Sequence, residues 1–107
     1  MTDTTLADVA ATIASRADAQ ADTSYTARLL QMGPAYCARK FGEESVEAIV
    51  AAVEGDPDAL VGEAADVVYH LLVLLQVSGV SFESVLGELE RRRGTSGLDE
   101  KAARGQG

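Results

Sequence analysis

Gly55-Asp56-Pro57 falls between two long runs of residues with helical spacing, and these three residues together dictate an abrupt reversal of the chain. Glycine accepts the left-handed backbone that closes a helix. Aspartate offers a side-chain oxygen to the free amides that begin the next one, and proline suits a first helical turn, where no N–H is needed. The spacing predicts one helix from Pro34 to about Glu54 and another from Pro57 to about Val77, joined as a tight antiparallel hairpin. A first helix from Thr5 to about Ala21 presents Leu6, Val9, Ala10 and Ile13 on one face, and Ser24 caps a second, Tyr25 to Met32. Gly33-Pro34 breaks and restarts the chain. Ser81 caps a fifth helix, Phe82 to Arg93, with Glu83 in its first turn and three arginines in its last, as the helix dipole favours. No segment alternates as a strand does, aromatic residues make up 5%, and no Asn-Gly or Asp-Gly hairpin turn occurs. The expected fold is an all-α bundle of about five helices built on the hairpin. It forms one domain over residues 1–93, followed by a mobile tail over 94–107 rich in glycine, serine and charge.

The hairpin gives its acidic residues a register. In an antiparallel pair folded at Gly55, residues equidistant from the turn face each other: Glu44 and Asp66 are each eleven residues from it, Glu47 and Glu63 each eight. Within each helix the acids are spaced i, i+3, on neighbouring positions of one face. Alone, either pair is an ordinary solvated stripe. Brought together, the four carboxylates lie within about 4.5 Å along the axis at ~1.5 Å rise per residue. Such a group repels itself unless a cation sits among it, and oxygen-only ligands suit a hard ion, Mg²⁺, with Mn²⁺ as a substitute.

The same two helices predict self-association. Glu44 and Glu47 lie opposite Val46, Ile49, Val50 and Val53, while the following helix is apolar around most of its circumference through Leu60, Ala64, Val67, Val68, Leu71, Leu72, Leu74 and Leu75. A helix apolar on most sides is buried on most sides, more than five modest helices can supply, so homo-oligomerisation completes the bundle, most simply as a homodimer or a dimer-based oligomer. Ala48 and Ala51 beside the acidic strip permit close approach.

Bulk properties narrow the partners. A formal charge of −8 and a pI near 4.4 repel nucleic acid, and Arg91-Arg92-Arg93 is too short a basic run to offset that field. The apolar stretch around Val67 to Val77 carries His70 and Gln76 and falls short of the roughly 20 residues a membrane span needs. The N-terminus lacks the basic and apolar regions of a signal peptide, and the lone Cys37, read as a small buried apolar side chain, suits a reducing compartment. A cytoplasmic protein with neither nucleic-acid nor membrane partner is expected.

The pattern Glu44-Ser45-Val46-Glu47 followed by Glu63-Ala64-Ala65-Asp66 resembles that of the all-α nucleotide pyrophosphohydrolase superfamily, which includes MazG-like and dimeric dUTPase-type enzymes. The surroundings resemble the phosphoribosyl-ATP pyrophosphohydrolase family within it. These are Ser24 to Leu30, Lys40-Phe41-Gly42-Glu43-Glu44, and the run from Ala64 through Tyr69-His70 to Leu75. Gly33-Pro34-Ala35-Tyr36-Cys37 departs from the more charged run expected there. The resemblance implies Mg²⁺-dependent hydrolysis of phosphoribosyl-ATP to phosphoribosyl-AMP and pyrophosphate, the second step of histidine biosynthesis, with the metal on Glu44, Glu47, Glu63 and Asp66. It also implies a carboxylate that activates water, either Glu44 or Glu43, and a substrate role for Ser24, Tyr25 and Thr26. Lys40, one turn before Glu44, is placed to reach a phosphate, although it also reads as a surface lysine. His70, level with Lys40 across the hairpin, reads either as a substrate contact or as a hydrogen-bonded structural histidine. Two alternatives remain: a housecleaning hydrolase of nucleoside triphosphates, and a nonenzymatic helical dimerisation module.

Overall fold

In the computed structural model, residues 4–21 and 24–93 are described, and all regular structure among them is helical. The elements are α1 (Leu6–Ser15), a 3-10 turn (Arg16–Asp18), α2 (Tyr25–Met32), α3 (Pro34–Val53), α4 (Pro57–Val77) and α5 (Phe82–Arg92). The expected tail over 94–107 lies outside the described residues.

Local chemistry explains most of the boundaries. Thr5 and Asp8 form a reciprocal capping box: the Asp8 N–H donates to the Thr5 hydroxyl at 3.1 Å, and the Thr5 N–H to the Asp8 carboxylate at 3.2 Å. Ser24, Asp56 and Ser81 each accept from the amide three residues on. At the hairpin, Gly55 takes φ +73°, the Gly55 N–H donates to Ala52 O at 3.1 Å, and the Asp56 N–H donates to Ala51 O at 3.2 Å. That pair of bonds is a Schellman closure, and it uses the carbonyls that the end of α3 leaves free. Gly79, at φ +74°, closes α4 in the same way.

One boundary differs from expectation. The first helix ends at Ser15, not near Ala21, and is followed by the 3-10 turn and an extended Ala19. Ser15 turns its hydroxyl back onto Thr12 O at 2.6 Å, and beyond Ile13 the sequence supplies only alanine and polar side chains, so nothing anchors another turn to the core.

The core unites Ile13 of α1, Leu29 of α2, Cys37 of α3, and Leu72 and Val73 of α4, with Phe82 of α5 packed against it. All of this lies at the end of the hairpin remote from its turn. Toward the turn only Ala51 is buried, while Val46, Ile49, Val50, Val53 and Val61 are exposed, Val53 to 82%. The apolar character of α4 also exceeds the Val67–Val77 stretch. Across its 21 residues α4 is long and apolar enough to cross a membrane, with mean hydropathy 1.6, and 17% of that apolar window is buried within the chain.

Candidate active site

The hairpin register brings the acids together. One carboxylate oxygen each from Glu44, Glu63 and Asp66 lies within 4.8 Å of the others. Glu47, exposed like Asp66, stands outside that group of three, yet its carboxyl is close enough to Glu44 to hydrogen-bond it, and its charge also bears on Glu63. Burial first, then Glu47 and Asp66, push the Glu44 carboxyl above the ordinary range. Glu63 is raised by the same causes in the same order, and its Oε2 is buried with no hydrogen-bond partner among the described residues. A crowded, all-oxygen group of carboxylates with an orphaned buried oxygen fits a hard divalent cation, whose charge relieves the repulsion and whose coordination occupies that oxygen. Beyond the acids, toward the turn, runs an open groove of about 270 Å³ lined by Glu47, Val50, Ala51, Glu54, Ala59 and Glu63. Glu54 was not singled out in the sequence, although its place seven residues after Glu47 sets it on the same face two turns on.

The other sequence candidates separate into free and committed groups. Glu43 pairs with Lys40 Nζ at 3.4 Å and with Arg39 at 3.7 Å, so it is turned toward cations, outside the three-carboxylate group. Lys40 is three-quarters buried at its side chain, and its hydrogen bond to Glu43 holds its ammonium above the usual range. The Ser24 hydroxyl is occupied as the cap of α2, and Thr26 shares a hydrogen bond with the Tyr69 hydroxyl. Tyr25, by contrast, is 53% exposed, with its ring edge-on to His70. His70 is buried, and burial first, then the nearby Lys40 charge, lower its pKa against the opposing pull of Asp66. Cys37 is buried, its thiol donates to Leu29 O at 3.1 Å, and burial raises its pKa, in keeping with a core side chain.

Comparison with known proteins decides the family. The model of the phosphoribosyl-ATP pyrophosphohydrolase family matches residues 6–93, the whole run from α1 through α5. The chain belongs to the phosphoribosyl-ATP pyrophosphohydrolase family. Among curated relatives, the phosphoribosyl-ATP pyrophosphatase of Methylobacterium radiotolerans is 60% identical over 104 residues, 97% of each chain. That of Dinoroseobacter shibae is 59% identical over 99 residues, covering 92% of this chain and 97% of its own. That of Rhodobacter capsulatus is 57% identical over 102 residues, covering 95% and 99%. The family match spans both acidic pairs together with Lys40 and His70.

Proposed function

We propose that this family member hydrolyses phosphoribosyl-ATP to phosphoribosyl-AMP and pyrophosphate, with Mg²⁺ held by Glu44, Glu47, Glu63 and Asp66. The observation that carries the reading is the meeting of Glu44, Glu63 and Asp66 within 4.8 Å across the α3–α4 hairpin, in a chain whose relatives bear that enzyme name. Bound there, the ion supplies charge neutralisation to the phosphates and to the departing pyrophosphate. Glu44 is the better candidate to take a proton from the attacking water, because it stands within the acidic group that would hold the metal, whereas Glu43 is engaged with Lys40 and Arg39. Lys40, one turn along α3, offers its ammonium to a phosphate oxygen, and Glu43 fixes where that ammonium stands.

The active unit in this reading is a two-fold homodimer in the cytoplasm. Its second copy covers the valines and isoleucine left exposed on α3 and the exposed apolar residues of α4, Val61 and Leu71. A lipid surface is the poorer cover, because Glu63, Asp66 and His70 interrupt α4 along its length.

Purified protein is to be incubated with Mg²⁺ and either phosphoribosyl-ATP or a panel of nucleoside triphosphates, with pyrophosphate and nucleotide products resolved by chromatography. Phosphoribosyl-ATP is expected to be turned over with by far the highest kcat/KM, and only with divalent metal. Preference for a free triphosphate overturns the substrate, and full turnover in chelator overturns the metal site.

A further inference from the structure

Glu54 stands at the turn end of the open groove of about 270 Å³ that leads away from the acids. Val50, Ala51 and Ala59 give the groove an apolar lining, Glu47 and Glu63 join it to the proposed metal site, and no lysine or arginine lines it. The Glu54 carboxylate is exposed and, among the described residues, holds no hydrogen bond or ion pair. The cations lie the other way. Arg39 and Lys40 precede Glu44 on α3, on the side remote from the turn, where both pair with Glu43. A polyphosphate laid across the metal site is therefore drawn toward Lys40, and the rest of the nucleotide falls to the groove. Seven residues separate Glu47 from Glu54, about 10 Å along α3 at ~1.5 Å rise per residue, comparable to the reach from a nucleotide's α-phosphate to the outer edge of its base.

We propose that this groove seats the base of phosphoribosyl-ATP, and that Glu54 accepts a hydrogen bond from the exocyclic N–H of that base and so selects N1-ribosylated adenine over the adenine of ATP. The contact rests on the reaction proposed above and adds the means by which its substrate is told apart from ATP. Two properties of the groove point to this occupant. Its aliphatic lining suits the face of a flat ring, whereas three carboxylates and no cation make it a poor seat for a phosphate. With Glu47 and Glu63 turned to the metal, Glu54 remains as an unengaged anionic acceptor, which favours a base carrying donors and positive charge. Adenine itself is neutral near neutral pH. A sugar attached at N1 takes up the electron pair of that ring nitrogen and makes the exocyclic nitrogen strongly basic, so the base holds an extra proton, with its charge shared between N1 and N6. The exocyclic nitrogen then offers two N–H donors. Because the groove is open, the phosphoribosyl arm on N1 has a way out to solvent.

The test measures binding apart from turnover. With Mg²⁺ present, wild type and Glu54→Gln are titrated by calorimetry with AMP and with N1-methyl-AMP, which carries the same charge on its base without the phosphoribosyl arm. Wild type is expected to bind N1-methyl-AMP about tenfold tighter than AMP, the low end for a hydrogen bond to a charged group, as suits an open groove, and Glu54→Gln to bind the two within about twofold. The preference of wild type is expected to fade as the pH is raised past the point at which the methylated base loses its proton. In steady-state assays Glu54→Gln is expected to raise KM for phosphoribosyl-ATP about tenfold while kcat changes far less. The side chain is exposed and holds nothing in the fold, so the variant is expected to melt with wild type. Equal affinity of wild type for the two nucleotides, a preference that persists in Glu54→Gln, or an unchanged KM overturns the proposal. If wild type prefers N1-methyl-AMP through Glu54 yet does not hydrolyse phosphoribosyl-ATP, the proposed reaction falls and the choice of a cationic base stands. Hydrolysis of phosphoribosyl-ATP without that preference keeps the reaction and removes the contact.

Discussion

One oxygen of Glu63 is buried without a hydrogen bond while the charges of Glu47 and Asp66 bear on it, an arrangement that is unfavourable until a cation enters. Glu63→Gln therefore separates stability from function. The amide removes a charge and adds a donor that a neighbouring carboxylate can accept, so the metal-free protein is expected to melt at the same temperature or higher. Turnover is expected to fall at least about a hundredfold with the loss of a ligand. Thermal melts with and without MgCl₂ complete the check. Wild type gains stability on adding the ion, because only the folded state binds it, and the variant gains little. A variant with full turnover removes Glu63 from the site. Glu43 and Glu44 make a second contrast. With Glu43 held by Lys40 and Arg39, Glu43→Gln is expected to raise KM a few-fold and spare kcat, whereas Glu44→Gln is expected to collapse kcat in steady-state assays. Which of these adjacent acids activates water was not legible in the sequence, because the register places Glu44 in the acidic group but does not show that Lys40 and Arg39 hold Glu43. The convergence of Glu44, Glu63 and Asp66 was legible, because the turn at Gly55 sets the register and the register sets the distances.

At the level of helices, what could be read was whatever is written within four residues: the caps at Thr5, Ser24, Asp56 and Ser81, and the glycine closures at Gly55 and Gly79. The end of α1 was not, because alanine propensity carries the pattern past Ser15, while the real limit is the lack of a side chain after Ile13 able to reach the core. The caps lead to a stability prediction. Asp56→Ala removes the acceptor for the Ala59 N–H at the head of α4, and is expected to cost about 1 kcal/mol, lowering Tm by roughly 4–8 °C in a two-state melt. In α5 the Arg91 and Arg92 guanidinium groups hold Glu88 down to about 2 from a reference of 4.5. A depressed carboxyl stabilises the folded state above pH 4.5, and that contribution is lost as pH falls toward 2. Carboxyl NMR is expected to show Glu88 titrating near pH 2, with α5 fraying over the same window. A midpoint near 4.5 breaks the proposed pairing.

For the whole molecule, the distribution of apolar surface is the unresolved physical demand. One end of the hairpin is packed by α1, α2 and α5, but the end carrying the acids shows Val46, Ile49, Val50 and Val53 to solvent along one face of α3, and Val61 on α4. These exposed apolar side chains fit the homodimer proposed above, in which a second copy related by a two-fold axis covers like with like. The strip lies on α3 across from Glu44 and Glu47 and meets the groove at Val50, so such a partner stiffens the helix that presents half of the acidic group and borders the groove on that side. Ile49→Asp with Val53→Asp puts four negative charges into a two-fold interface, two from each copy, and adds no clash within a single chain, because both positions are exposed there. Sedimentation velocity at micromolar concentration is expected to show wild type as two chains and the double variant as one, with a lower Tm and reduced turnover. If the double variant sediments with wild type, the α3 strip is not the interface, and the cover for α4 has to be sought on its other exposed residues, around Val61 and Leu71.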